Sequence, residues 1–387
     1  MDSITQGIHS HLADLTDSHA PAISMTSAYD FNSAQEARDR FSGKVTGNVY
    51  SRFTNPSVDN FQRKLAIMEG AESAIAFSSG MSAYLALAVS FLKQGDHVLL
   101  AGGIFGTTTH LFRQYFDKFG ITAKSVNVNN KEEWKKKLLP TTKMIIVESP
   151  SNPLIKMADI QWLSTLTKAN NIIFVVDNTL LTPVNQNPLK MGADLVLHST
   201  GKFIDGQGRT VGGVIAGRKA HIDILRSYLR SSGTCMSAFD AWVLSHSLDT
   251  LKARMAAHIN NAKAIVSWLN INPNVRKVYS TFNSLLDSSS HCPVFSFIIR
   301  GGEDTAWRCI DSMCLISRCT NIGDTKTLVT HPATTTHARY TDEEQAHYGI
   351  DKGLIRICAG LESSEDIIHD LAQSISCAVD RNVCNAP

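Results

Sequence analysis

Five short apolar runs constrain the fold of this chain more than any other feature: His97–Ala101, Met144–Val147, Ile172–Val176, Asp194–Leu197 and Gly213–Ala216. They alternate with helical patterns, and a short continuous apolar run is buried on both faces, as strands of a parallel sheet under helices are. The first four end directly in polar or glycine-rich residues: Gly102-Gly103-Ile104-Phe105-Gly106, Glu148-Ser149-Pro150-Ser151-Asn152-Pro153, Asp177-Asn178-Thr179, and Ser199 to Lys202. One sheet edge would therefore collect these loops, and ligands of open α/β sheets bind at that edge. The expected fold is α/β, a mostly parallel sheet flanked by helices. Residues 1–55 read as an irregular arm that needs something to pack on, 56–250 as a large domain, and 251–387 as a smaller C-terminal α+β domain opening with a helical stretch from Leu251 to Leu269.

Composition removes several function classes. Hydrophobic residues make up 43% and charged residues 19%, with a formal net charge of +2, so neither a nucleic-acid nor a membrane partner is expected. Met1-Asp2-Ser3-Ile4-Thr5-Gln6 has no basic or apolar leader pattern, and no apolar run approaches the ~20 residues of a membrane span. A cytoplasmic protein is expected. The eight cysteines lack C-x-x-C spacing, which points to reduced packing or surface residues and to no metal site.

Two segments carry the chemistry. Asp177 stands where a β-branched run stops, and Lys202 follows His198-Ser199-Thr200-Gly201. A carboxylate to keep a pyridine nitrogen protonated, and a lysine amine to hold an aldehyde as a Schiff base, are what pyridoxal 5'-phosphate (PLP) requires. Singly, an aspartate there also opens turns or caps helices, and most lysines lie on the surface. Ser78-Ser79-Gly80-Met81-Ser82-Ala83 leads into a helical pattern whose first N–H groups would suit a phosphate or simply carry a serine cap. Tyr50 and Arg52 would point the same way in an extended segment. Phe105 could stack on an aromatic ring or fill a core. Arg356, inside the apolar run Leu354 to Ala359, needs an acid partner, either a substrate carboxylate or a structural one.

In this order the segments resemble the Cys/Met-metabolism (trans-sulfuration) family of PLP enzymes, which have the aspartate-aminotransferase type of fold, fold type I. Gly47 to Pro56, Ser79-Gly80-Met81, Glu148 to Pro153, Asp177 to Pro183, Gly192 to Lys202 and His331-Pro332-Ala333-Thr334-Thr335-Thr336-His337 carry the likeness across nearly the whole chain. The resemblance implies that Lys202 binds PLP and acts as the mobile acid and base. It further implies that Asp177 holds the pyridinium, Phe105 stacks on the ring and Asn152 contacts the 3′-oxygen. Gly80, Met81 and Ser199 would hold the phosphate, with Tyr50 and Arg52 from a neighbouring subunit of a homotetramer. Arg356 would bind the substrate α-carboxylate.

Within the family, Asp205-Gly206-Gln207-Gly208-Arg209, Asn321 to Thr327 and Phe105 resemble the O-succinylhomoserine sulfhydrylases. Such an enzyme removes protons from Cα and Cβ, releases succinate from Cγ and adds sulfide, giving homocysteine for methionine biosynthesis. Cystathionine γ-synthase and O-acetylhomoserine sulfhydrylase are the alternatives, followed by a PLP-binding protein without turnover. Two departures stand out. The family usually has Ser-x-Thr-Lys where this chain has Ser199-Thr200-Gly201-Lys202, so one hydroxyl contact to phosphate is missing or moved, and Gly201 is expected to loosen the backbone. The segment from Phe282 to His291 also reads as a shortened surface loop.

Overall fold

The β-branched run before Asp177 forms a strand at the centre of a seven-stranded sheet. The computed structural model describes residues 1–10, 19–283, 290–338 and 340–380, so positions 284–289 of the segment from Phe282 to His291, expected to be a shortened surface loop, lie outside the described residues. In chain order the strands of this sheet are β1 (Ser73–Phe77), β2 (His97–Ala101), β3 (Thr122–Val126), β4 (Thr142–Glu148), β5 (Ile173–Asp177), β6 (Leu195–Ser199) and β7 (Gly213–Gly217). Their spatial order is β1-β7-β6-β5-β4-β2-β3. All neighbours are parallel except β7, which runs antiparallel to both β1 and β6.

The continuous apolar runs are explained by two cores, one on each face. Val98, Leu100, Ile146, Val175, Leu195 and Leu197 enter one core, and Leu99, Ile145, Val147, Phe174 and Val176 enter the other. Each side chain of this size stabilises by about 1.5–3 kcal/mol when taken from water, so both faces must be covered. Helix α1 (Pro56–Glu69) covers part of the sheet through Phe61, Leu65 and Met68, and α2 (Gly80–Phe91) covers part of the opposite face through Ala83, Tyr84 and Leu87. Asn55 caps α1 by accepting the Ser57 N–H, Pro56 occupies its first turn, and Gly70 ends it at φ 70°.

Two strands were absent from the sequence reading. β3 is an edge strand with exposed Thr122 and Lys124, paired among the described residues only with β2, and Thr122, Lys124 and Ser125 of its five residues are polar. β1 is five residues long and is recruited by β7 rather than by its chain neighbours. The N-terminal segment is also more regular than expected: it contains helices Ser3–Ile8 and Ala34–Phe41, and Ile4 and Gly7 of the first pack against Met68 of α1.

After helix α3 (Leu251–Ile271) comes a second sheet of β8 (Val275–Tyr279), β9 (Val294–Ile299), β10 (Ser317–Arg318), β11 (Leu328–Thr330) and β12 (Leu354–Cys358). Its order is β10-β11-β12-β9-β8, antiparallel throughout except for β10 with β11. Arg356 therefore lies in the middle strand. Among the described residues, no helix is long and apolar enough to cross a membrane.

Candidate active site

Parallel pairing brings the ends of β4, β5 and β6 to one edge, where Glu148 stands opposite Asp177 and Asp177 opposite Leu197. A cavity of about 280 Å³ opens there, and Asp177, Lys202, Phe105, Asn152, Ser199, Gly80, Met81 and Arg356 all line it. An adjoining cavity of about 630 Å³ shares Phe105 and Lys202 and continues past His110 and Arg113.

Asp177 is held from both sides. Its Oδ1 accepts the Thr179 N–H at 3.0 Å, and its Oδ2 accepts the Tyr84 hydroxyl at 2.6 Å. Burial, and then the charge of Asp177, raises the Tyr84 pKa well above the usual phenol value, so the phenol remains a donor. The same two causes raise Glu148 well above the usual carboxylate range. Glu148 accepts the Phe105 N–H at 2.9 Å, which anchors the loop that carries the half-exposed Phe105 ring at the cavity mouth.

Lys202 follows β6 in a turn, and its Nζ donates to Asn321 Oδ1 at 2.5 Å. Burial, with the nearby Arg356 guanidinium, lowers its pKa and favours the neutral, nucleophilic amine. Arg356 is 1% exposed, and its Nη2 donates to the carbonyls of Thr320 and Asn321 at 2.8 and 3.1 Å. Its Nη1 donates to Asn152 Oδ1 at 3.4 Å, whereas its buried Nε has no hydrogen-bond partner among the described residues. Burial brings the guanidinium pKa down to about 10. Among the described residues no carboxylate forms an ion pair with Arg356, an arrangement suited to an incoming anion.

The end of the cavity at Gly80 is built from close backbone approaches. Gly80 and Met81 lie in the first turn of α2, where N–H groups lack intrahelical acceptors, while the Ser79 side chain caps the N–H of Ser82. A Cβ at Gly80 would come within 3.1 Å of Ser199 Cβ, and one at Gly213 within 2.3 Å of the Ser79 carbonyl. The helix start thus sits directly on the ends of β6 and β7, and the Thr179 hydroxyl fixes the strand end by accepting the Ser199 N–H at 2.9 Å. A carboxylate, a half-buried amine, an anion cradle and the apolar walls Leu180, Leu197 and Ile322 together fit a flat pyridine ring bearing an aldehyde and a phosphate.

The residue before Lys202 behaves differently from the expectation. A Cβ on Gly201 would lie 2.4 Å from the Thr210 carbonyl, so this glycine permits a tight contact between two backbone segments. Thr200 does not supply the displaced hydroxyl: it is fully buried, turned toward Gly212, and its Oγ1 has no partner. Gly201→Thr should therefore destabilise the fold by about 1–3 kcal/mol through overpacking, read as a lower thermal midpoint by circular dichroism. An unchanged midpoint would show that the Thr210 segment moves aside freely.

Tyr50 and Arg52 do not reach this cavity in their own chain. Tyr50 is exposed, and Arg52 donates to the Arg230 carbonyl with its guanidinium 4.7 Å from the Phe53 ring centre. Several groups at the site were missed from sequence. Tyr84 lies one turn beyond Gly80, a spacing that places both on one helix face, and Glu148 ends its strand as Asp177 does. Asn321 was given no role of its own within the Asn321 to Thr327 segment, and the fully buried Glu69–His198 pair, 2.6 Å apart, had no local signal.

Fold and site together define a PLP-dependent enzyme of fold type I. The chain belongs to the family described as Cys/Met metabolism PLP-dependent enzymes, whose profile matches residues 4–376. It is similar to the O-succinylhomoserine sulfhydrylase of Pseudomonas aeruginosa, with 44% identity over 92% of this chain and 91% of that one. It is also 35% identical to an L-methionine gamma-lyase of Fusobacterium nucleatum subsp. polymorphum, over 96% of this chain and 97% of the relative. A solved structure from Campylobacter jejuni, assigned as an O-acetylhomoserine (thiol)-lyase and carrying N'-pyridoxyl-lysine-5'-monophosphate, superposes with a TM-score of 0.92 at 30% identity, covering 97% of this chain and all of that one.

Proposed function

We propose that this chain carries out γ-replacement on an O-acylhomoserine, converting O-succinylhomoserine and sulfide to homocysteine and succinate. The observation that carries the reading is one cavity holding a half-buried lysine of lowered pKa, a carboxylate at a strand end, and a buried arginine that forms no ion pair among the described residues. The 44% identity to an O-succinylhomoserine sulfhydrylase supports the choice of substrate. Arg113 and His110 on the wall of the larger cavity are suitable partners for the distal carboxylate of a succinyl ester.

When bound, PLP supplies an electron sink that makes the Cα–H bond of an amino acid acidic. Lys202 would hold the cofactor's aldehyde carbon, and its free amine would take the Cα proton and later return it. Asp177 would hold the ring nitrogen, Phe105 would stack on the ring and Asn152 would hold the 3′-oxygen. The Gly80 and Met81 N–H groups with Ser199 would hold the phosphate, and Arg356 would bind the α-carboxylate. Succinate leaves Cγ with the electron pair of the C–O bond, and hydrosulfide brings the pair that forms the C–S bond.

The positions of Tyr50 and Arg52 support a site completed by a second copy, the two residues reaching a neighbouring subunit's phosphate within a homotetramer. Residues 1–55 then form the arm between subunits, 56–250 the PLP-binding domain and 251–387 the C-terminal domain. The test is a competition assay: PLP-loaded protein with O-succinylhomoserine and equal sulfide and cysteine, quantifying homocysteine, cystathionine and 2-oxobutyrate. Homocysteine should predominate. Mainly cystathionine would reassign the chain as a γ-synthase, mainly 2-oxobutyrate as a γ-lyase, and no product would point to a protein that binds PLP without turnover.

A further inference from the structure

Asp177 is not alone at the end of β5. Tyr84 of α2 is 3% exposed and places its hydroxyl 2.6 Å from Asp177 Oδ2, while Thr179 N–H occupies Oδ1 and Glu148 stands beside it in register on β4. An ionised carboxylate has about four acceptor sites, so both bonds leave room for a third donor. A buried O–H···O⁻ bond draws negative charge from the oxygen that accepts it, and such bonds are strongest where water is excluded. Less charge then remains to pull a proton from any other group bonded to the same carboxylate.

We propose that Tyr84 is a positioning residue that fixes Asp177 and keeps the proton they share on the cofactor's ring nitrogen rather than on the carboxylate. The inference rests on the reading of Asp177 given above as the partner of that nitrogen. The phenol stays protonated because burial and Asp177 itself raise its pKa, so it donates across the working pH range.

The experiment is solid-state NMR of protein reconstituted with PLP labelled with ¹⁵N in the ring, comparing wild type, Tyr84→Phe and Asp177→Asn. Tyr84→Phe keeps the ring that packs in the core and removes only the donor. Its nitrogen signal should move downfield from the wild-type position toward that of an unprotonated pyridine, and Cα–H exchange of a non-reacting amino acid should slow by at least about tenfold. With 3-fluorotyrosine at position 84, a stronger donor of nearly the same shape, the signal should move the opposite way. An unmoved nitrogen in both Tyr84 variants, with Asp177→Asn shifted, would overturn the role of Tyr84 alone. A nitrogen unmoved by Asp177→Asn would overturn the reading of Asp177 and the inference with it.

Discussion

Lys202→Ala should abolish covalent PLP attachment, remove the visible absorbance of the bound cofactor, and lower turnover by about 10⁴-fold, the upper range for a positioned acid and base. Among the described residues Lys202 is the one lysine lining the cavity that holds Asp177 and Arg356, so none of the other described lysines is placed to take over its role. The expected pH dependence follows from its surroundings. Burial and the Arg356 charge disfavour the ammonium form, so the neutral amine is populated at lower pH than on an exposed lysine. The rate of PLP capture by the cofactor-free protein should rise with pH and level off below the range of an ordinary lysine. Retained absorbance in the alanine variant would sink the assignment.

Arg356→Lys should lower kcat/KM for the acylhomoserine roughly 10²-fold, mostly through KM, because an ammonium cannot reproduce a planar two-point grip on a carboxylate. The variant keeps one positive charge in the cavity but gives up the fork whose Nη2 donates to the carbonyls of Thr320 and Asn321 and whose Nη1 donates to Asn152. PLP absorbance should survive, which separates substrate binding from cofactor binding. Steady-state kinetics with a thermal melt checks both, and an unchanged KM would move the α-carboxylate site elsewhere in the cavity.

Much of the sheet was legible because a strand buried on both faces leaves a short continuous apolar run, too short for a helix and bounded by turn residues. All five apolar runs became strands, and the helix beginning at Leu251 was found with its end two residues further on, at Ile271. β3 left no such mark, since an edge strand exposes every second residue. β1 was chosen by pairing with β7, more than 130 residues away in the chain, and no local pattern encodes that contact. Gly201 shows the same limit. Its flexibility suggested looseness, but what it provides is the missing Cβ that lets the Thr210 carbonyl approach.

Local chemistry was determined by sequence alone: a carboxylate ending a buried strand, a lysine just after another, a Ser-Gly-Met helix start, and an arginine inside an apolar strand. Each is set by residue type and by neighbours a few positions away. Tertiary structure alone decided their partners. The register of β4 on β5 set Glu148 beside Asp177, the packing of α2 on the sheet brought the Tyr84 phenol to Oδ2, and contact with the second sheet carried Arg356 and Asn321 to Lys202. Such contacts join segments separated by scores of residues. They depend on which apolar faces fill the same volume, a condition met only when the whole chain has packed.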